Sequence, residues 1–178
     1  MVIWLVGLSG SGKTTIGRQV AERWKRTAAN TVLVDGDEVR RIFRQDGTPA
    51  DYSVAGRRIN GERIYELCEW LDLQGINVVC CVLSIFEDLR ARARANYSAY
   101  FEVFLDASLE TVVLRDVKGL YRAAQAGEMP HVVGLDIEFT RPEHPDLVLD
   151  SSGDGPTAAQ LATAVIEGAG IPIGASDD

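Results

Sequence analysis

The chain has 178 residues, 46% of them hydrophobic, and this size and composition predict one globular domain with a core large enough to fold without disulfides. Its formal net charge of -8 argues against a nucleic acid polymer or an anionic membrane as partner, because an acidic surface attracts neither. No stretch reaches the roughly 18 apolar residues of a membrane span, and the N-terminus lacks the pattern of a signal peptide, so we expect a cytoplasmic protein.

Short apolar runs rich in β-branched residues alternate with segments of helical pattern along most of the chain. In chain order, the predicted elements are strand 2–6, helix 13–25, strand 31–35, helix 59–74, strand 76–83, helix 87–95, strand 100–106, helix 109–115, strand 146–150 and a last helix whose first turn contains Pro156 and which ends near Glu167. This alternation predicts a three-layer α/β fold with a mostly parallel five-stranded sheet.

Two stretches interrupt the alternation. Residues 46–51 (DGTPAD) predict a turn-rich loop. Residues 117–145 carry much Gly, Pro and charge, and long irregular segments of compact domains are more often functional than idle, so we predict a lid over about residues 116–140. The small-residue tail, 168–178, is expected to be mobile, and residues 1–178 are treated as a single domain.

The cysteines and histidines have no spacing typical of a disulfide framework or a zinc site. Cys68, Cys80 and Cys81 are expected to be buried, reduced thiols, the last two within a strand. His131 and His144 lack the neighbours that a metal site would need.

The segment VGLSGSGKTT (6–15) predicts a phosphate-binding loop. Gly7, Gly12, Lys13 and Thr14 match G-x-x-x-x-G-K-[ST], and the match lies between a strand and a helix, as this motif requires. Loop amides would surround the phosphates of ATP, Lys13 would reach the β- and γ-phosphates, and the Thr14 hydroxyl would contact Mg²⁺. The predicted nucleotide-binding residues are Ser9, Gly10, Ser11, Gly12, Lys13, Thr14 and Thr15. Such a loop does not distinguish a kinase from a GTPase or a motor.

The segment DGDEVR (35–40) follows the second strand and should emerge beside the phosphate loop. Its two aspartates could serve a metal ion and an acceptor hydroxyl, which phosphoryl transfer requires. We assign Asp37 to the hydroxyl and Asp35 to the metal. The alternative is a helix N-cap with acidic first-turn neighbours, formed by Asp37 and Glu38.

These motifs resemble those of adenylylsulfate kinases, P-loop kinases that use ATP to phosphorylate the 3′-hydroxyl of adenosine 5′-phosphosulfate (APS). The likeness covers residues 2–150. It rests on GLSGSGKTT, on DGDEVR against the family's DGDN-[VI]-R, on YSVAGRRIN against F-S-x-x-D-R-x-x-N, on RDVKGLYRAAQAGE against R-D-P-K-G-L-Y-x-x-A-x-x-G-E, and on PEHPDLVLD. The lid motif is the most specific of these.

The resemblance implies roles for the matching residues. Asp37 would approach the acceptor hydroxyl, arginines would pair with acceptor oxygens through their planar fork, and the lid would shut out water. The implied catalytic residues are Asp37, Lys13 and Ser84; the implied metal ligands are Thr14 and Asp35; the implied acceptor-binding residues are Asp35, Asp37, Arg40, Tyr52, Arg57, Asn60, Ser84, Lys118, Gly119, Leu120 and Val132. For Arg58 we prefer a solvated helix face.

The departures from the family pattern fall on the acceptor side. Val132 stands where the family has an aromatic residue that stacks on the adenine, and a branched aliphatic side chain cannot stack in the same way. Ser84 matches a serine that is phosphorylated in some members, yet Ile85 follows it instead of proline. Other positions that differ are Glu38, Gly56, Gly61 and Glu62, and the loop 41–51 is longer than usual.

Three functions therefore remain open. The first is a kinase of APS that uses ATP and Mg²⁺. The second keeps the mechanism but takes another nucleotide conjugate, such as a cytidine diphosphate derivative of polysaccharide biosynthesis. The third is a nucleotide-binding module without catalysis, which the joint presence of Lys13, Thr14, Asp37 and Lys118 disfavours. A homodimer, common in the family, also remains open.

Overall fold

Strands and helices alternate along the part of the chain that the computed structural model describes, residues 1–116, 118–153 and 155–172. They are β1 (Val2–Val6), α1 (Lys13–Thr27), β2 (Thr31–Asp35), α2 (Gly36–Ile42), a 3₁₀ helix (Pro49–Tyr52), α3 (Val54–Leu73), β3 (Asn77–Val82), α4 (Glu87–Asn96), β4 (Tyr100–Asp106), α5 (Leu109–Arg115), α6 (Leu120–Gln125), β5 (Leu147–Asp150) and α7 (Ala158–Gly168). The five strands form one parallel sheet in the order β2-β3-β1-β4-β5. The predicted α/β fold is confirmed.

The sheet is covered by helices on both faces. From the central strand β1, Ile3 and Leu5 pack with Val20 of α1 in one core cluster that also includes α7. Trp4, on the opposite face, packs in a second cluster with Ile64 of α3 and residues of α4. Burial on both faces explains why the strands read as continuous apolar runs rather than alternating ones. In the described residues, no helix is long and apolar enough to cross a membrane.

The connections that follow β1, β2 and β3 leave the sheet at the same edge, because the strands are parallel. The chain order reverses beside β1, whose neighbours are β3 and β4. Open parallel sheets bind ligands at such a reversal, outside the carboxyl ends of the strands. The phosphate loop after β1 and the acidic end of β2 therefore lie on the edge at which a ligand is expected.

Two short helices, α2 and the 3₁₀ helix, are absent from the list of predicted elements. The sequence analysis assigned residues 35–40 to the site, with a helix N-cap as the alternative, and residues 46–51 to a turn-rich loop. The helix predicted at 59–74 begins earlier, at Val54, because the Ser53 hydroxyl caps it by accepting a hydrogen bond from the Gly56 amide. The lid prediction included no helix, but α6 lies within it.

The last helix begins after Pro156 and not with it. Thr157 is the N-cap and forms a capping box with Gln160, so the prediction that Pro156 forms the first turn is wrong. Gly168 is the last residue of this helix, and Ile171 is buried against the first core cluster. Residues 173–178 of the predicted mobile tail, with Val117 and Asp154, lie outside the described residues.

Candidate active site

The phosphate loop folds into an anion site at the N-terminus of α1. Gly10 and Gly12 have φ angles of +82° and +94°, which glycine adopts readily and other residues rarely do. The Lys13 ammonium donates hydrogen bonds to the carbonyls of Gly7, at 2.8 Å, and Leu8, at 2.6 Å. Lys13 therefore lies against the loop, with a positive charge next to the helix end where phosphate oxygens would bind.

Burial lowers the pKa of Lys13 to about 8, and the opposing effects of nearby Asp37 and Asp35 are smaller. A bound triphosphate favours the ammonium form, so ATP binding should raise this pKa and take up protons at alkaline pH. We expect an uptake of about half a proton from this group at about pH 8 and almost none at about pH 6.5. Calorimetric titration of ATP in buffers of different ionisation enthalpy measures it. In Lys13→Met the increase between these pH values should disappear; an unchanged increase would assign the uptake to another group.

Thr14 and Asp35 lie together at the mouth of the loop. The Thr14 hydroxyl donates to Asp35 Oδ2 at 2.6 Å, and Asp35 Oδ1 accepts from the Asp37 amide at 2.9 Å. Asp35 is thus the N-cap of α2, so the interpretation of Asp37 as the cap is wrong. A hydroxyl and a carboxylate are ligands that fit Mg²⁺, which usually takes most of its other ligands from phosphates and water. In the described residues, no group of three or more His, Cys, Asp and Glu could hold a metal ion.

Asp37 lies in the first turn of α2 and forms an ion pair with Lys118 of the lid segment. Burial acts to raise the pKa of Asp37, but the hydrogen bond and charge of Lys118, with the charges of Lys13 and Arg40, lower it below its ordinary value. The carboxylate is therefore ionised at neutral pH and can accept a hydrogen bond. Its side chain is 64% exposed, so an acceptor can reach it.

A cavity of about 840 Å³ joins the phosphate loop to the acceptor side. Both Lys13 and Asp37 line it, which places the two groups on the same side of the molecule. The other predicted site residues that line it are Ser9, Gly10, Gly12, Thr14, Thr15, Asp35, Arg40, Tyr52, Arg57, Asn60, Ser84, Lys118, Leu120 and Val132. Ser11, which is 1% exposed, and Gly119 do not line it.

The two arginines that were predicted to bind the acceptor, Arg40 and Arg57, both line this cavity. The Arg40 guanidinium lies 4.9 Å from the centre of the Tyr52 ring and donates to the Asp51 carbonyl at 2.6 Å. The Arg57 guanidinium lies 6.0 Å from the same ring centre. Burial and the charge of Arg40 lower the pKa of Arg57 to about 10, which leaves it charged at neutral pH. Neither arginine forms an ion pair with a carboxylate of the described residues, so the pair is suited to an anionic ligand.

Asn60 and Ser84 lie at the inner end of the cavity. Asn60 donates to the Gly36 carbonyl at 3.2 Å, while its Oδ1 is buried and has no hydrogen-bond partner among the described residues. Such an atom is available to a ligand's hydroxyl or amine. Ser84 has a φ of +47°, and its carbonyl accepts a hydrogen bond from the buried Arg90 at 3.0 Å.

Close packing of the 3₁₀ helix on α3 accounts for the glycine at position 56. A Cβ at Gly56 would lie 2.4 Å from the Asp51 carbonyl oxygen and 2.5 Å from that of Ala50. Only glycine therefore lets the 3₁₀ helix pack this closely on α3. An aspartate at this position would require the loop to move, and this loop contributes Gly47, Thr48 and neighbouring residues to the cavity.

Tyr121 joins the lid to the phosphate loop, a contact that the sequence analysis did not identify although Tyr121 ends the quoted K-G-L-Y motif. Its hydroxyl donates to the Ser9 carbonyl at 2.9 Å, and the residue is 1% exposed. Asp116 caps α6 by accepting from the amides of Tyr121 and Arg122. The phenol thus keeps the Ser9 carbonyl turned towards the lid helix.

Tyr121→Phe should raise the KM for ATP about two- to tenfold, because the Ser9 carbonyl loses the donor that orients it. Steady-state kinetics with varied ATP measures the effect. Tyr97→Phe is the matched control: the Tyr97 hydroxyl also donates to a carbonyl, that of Tyr65 at 3.0 Å, but Tyr97 does not line the cavity. Equal changes in both variants would show that the hydrogen bond contributes only to stability.

The profile of one protein family, described as adenylylsulphate kinase, matches residues 1–150. The chain belongs to the adenylylsulphate kinase family. An adenylyl-sulfate kinase of Marinobacter nauticus is 38% identical over 153 residues, which cover 85% of this chain and 75% of that protein. The M. tuberculosis APS kinase CysC, solved with AMPPNP and APS, superposes with a TM-score of 0.84 at 32% identity, covering 94% of this chain and 95% of that one.

One relative of this chain is named for a different substrate. A protein of Campylobacter jejuni named cytidine diphosphoramidate kinase is 36% identical over 151 residues, which cover 85% of this chain and 86% of that protein. Its identity to this chain is two percentage points below that of the M. nauticus adenylyl-sulfate kinase. The comparisons thus establish a phosphotransferase of the adenylylsulphate kinase family, and both kinds of acceptor occur among its relatives.

Proposed function

We propose that this protein transfers the γ-phosphoryl group of ATP to a ribose hydroxyl of a nucleotide conjugate, with the 3′-hydroxyl of APS as the preferred acceptor. One observation carries the proposal: Lys13 of the phosphate loop and Asp37, which is paired with the lid residue Lys118, line a single cavity. The arginines Arg40 and Arg57 line the same cavity beside the Tyr52 ring and would provide charge for the acceptor's anionic group.

Each residue has a distinct part in the proposed reaction. The amides of the loop and Lys13 hold the β- and γ-phosphates, and Asp37 accepts the proton of the acceptor hydroxyl as the oxygen attacks in line. Mg²⁺, when bound, neutralises phosphate charge, and Thr14 and Asp35 would hold it. Lys118 exchanges its bond with Asp37 for the transferring group, and the lid excludes water that would compete as acceptor.

A cytidine diphosphate conjugate is the second candidate acceptor, and the position of Val132 favours it. Val132 is 1% exposed and packs with Leu8, Val112 and Tyr121, so it offers no ring to an adenine. Loss of a stacking ring weakens the binding of a large purine more than that of a base held by edge hydrogen bonds. The C. jejuni relative is named for an acceptor of this kind.

The purified protein should be given ATP and Mg²⁺ with either APS or cytidine diphosphoramidate, with ADP release followed and the product identified by mass spectrometry. Transfer to APS with a higher kcat/KM supports the first candidate. Transfer to the cytidine compound alone replaces it with the second. ATP binding without transfer to either compound contradicts the proposed function and favours the non-catalytic module.

A further inference from the structure

The segment that runs from the end of β3 to the start of α4, residues 82–86, forms part of the cavity wall. Each of its residues lines the cavity. The segment lies against α3, since a Cβ at Gly61 would be 3.7 Å from Cδ2 of the Phe86 ring. Because α3 also carries Arg57 and Asn60, this part of the wall lies beside the helix that carries two of the proposed acceptor-binding residues.

Ser84 gives this segment an unusual backbone conformation. Its φ of +47° lies in the left-handed region, which is unfavourable for most residues that carry a side chain. Such a conformation persists only where the surrounding structure fixes it, and it is common at ligand sites. The contact that fixes it here is the hydrogen bond that Arg90 donates to the Ser84 carbonyl at 3.0 Å.

Arg90 lies behind the wall and does not line the cavity. It is 5% exposed, and its Nε pairs with a carboxylate oxygen of Glu102 at 3.5 Å. Glu102 is also buried and belongs to β4, and its other carboxylate oxygen accepts from the Tyr100 hydroxyl at 2.8 Å. The sheet thus holds Glu102, Glu102 holds Arg90, and Arg90 holds the Ser84 carbonyl.

A buried ion pair contributes little to stability when it is compared with apolar residues of similar size, so stability alone does not account for this one. We propose that Arg90 is a positioning residue for the acceptor: together with Glu102 it fixes the left-handed conformation of Ser84 and thereby shapes the wall against which the acceptor nucleotide binds. Arg90 acts through Ser84 and touches neither substrate. The inference rests on the proposed function, because it concerns the acceptor of the same transfer reaction.

The test replaces both partners, Arg90→Met together with Glu102→Met, so that no unpaired charge stays buried. The Kd for the accepted nucleotide, APS or cytidine diphosphoramidate, should rise at least about fivefold while that for ATP changes less than about twofold, because only the Ser84 carbonyl loses its donor. Calorimetric titration gives both values, and circular dichroism shows whether the variant is folded. The control is Arg94→Met, which removes another ion pair of α4, that with Asp146, and should change neither Kd because Arg94 does not line the cavity.

Ser84→Gly tests whether Arg90 acts through Ser84. Glycine adopts the left-handed backbone freely and has no side chain to position. In this background the double replacement should change the Kd for the acceptor by less than about twofold, because the effects of coupled residues do not add. If the double variant does not fold, Arg90→Lys is used instead. Lysine keeps a charge beside Glu102 but cannot bond Glu102 and the Ser84 carbonyl through one planar group, so this Kd should rise at least about twofold.

Failure of the inference is distinct from failure of the proposed function. An unchanged Kd for the acceptor in the folded double variant, or in Arg90→Lys where that variant replaces it, would show that Arg90 does not position the wall. Equal rises in Kd for ATP and the acceptor, or the full effect of the replacement in the Ser84→Gly background, would also overturn the inference. The absence of transfer to either nucleotide by the unaltered protein would instead contradict the proposed function.

Discussion

Asp37→Asn is expected to lower kcat for phosphoryl transfer by about two to four orders of magnitude. Asparagine has the same size and keeps an oxygen that can accept from Lys118, but it cannot take the proton of the acceptor hydroxyl. Removal of a negative charge near Lys13 should leave ATP affinity unchanged or slightly higher. Steady-state kinetics gives kcat, and calorimetric titration gives the Kd for ATP.

Glu38→Gln is the matched control for this prediction. Glu38 is the next carboxylate in the same helical turn and also lines the cavity, but it is 58% exposed and pairs with Arg41 rather than with a lid residue. An exposed pair of this kind contributes little to stability, so kcat should stay within about twofold. If Asp37→Asn retains more than a tenth of the original kcat, a different group receives the proton and the assignment of Asp37 is wrong.

The phosphate loop could be predicted from sequence because its requirements are local. The glycines, the lysine and the flanking strand and helix that the motif requires all lie within residues 2–27. The contact of Tyr121 with the Ser9 carbonyl comes from outside this range and is not visible in the motif. The parallel sheet could be predicted for a similar reason, since burial on both faces produces apolar runs that are visible in each strand separately.

The division of roles between the two aspartates of DGD could be predicted only in part. Both have the chemistry of an N-cap and of a metal or hydroxyl ligand, and the choice depends on which one has an extended backbone. Asp35 has φ -109° and ψ 130° and caps α2, which leaves the Asp37 side chain for Lys118. Lys118 is 81 residues away in sequence, so no local pattern could reveal that pairing.

The segment that contains His131 and Val132 was the least predictable part of the candidate site. The sequence shows that Val132 lacks a ring, but not that the Asp136 carboxylate turns the chain and buries Val132. The contact between Arg57 and the His131 carbonyl joins residues that are 74 apart. His131 was therefore considered only as a metal ligand, whereas the structure places it among the residues that line the cavity.

Arg57→Met is expected to lower kcat/KM for the acceptor by at least about 100-fold, while KM for ATP stays within about twofold. Methionine keeps most of the apolar stem but removes a half-buried cation and its charge-assisted hydrogen bonds, each of which contributes about 1.5–3 kcal/mol. The variant also loses the connection between the Tyr52 and His131 carbonyls, so these two backbone segments are no longer held together. Initial rates with varied acceptor at saturating ATP measure the effect.

Arg58→Met is the control, because Arg58 is the next residue of the same helix and its pairs with Glu62 and Asp88 lie at the surface. Such pairs contribute at most about 1 kcal/mol, so kcat/KM should change little. Arg57→Lys separates charge from geometry: lysine restores the cation but cannot bond both carbonyls and an anion with one planar group. Recovery of full activity with lysine would show that Arg57 provides only charge, whereas activity close to that of Arg57→Met would show that the bridging geometry is required.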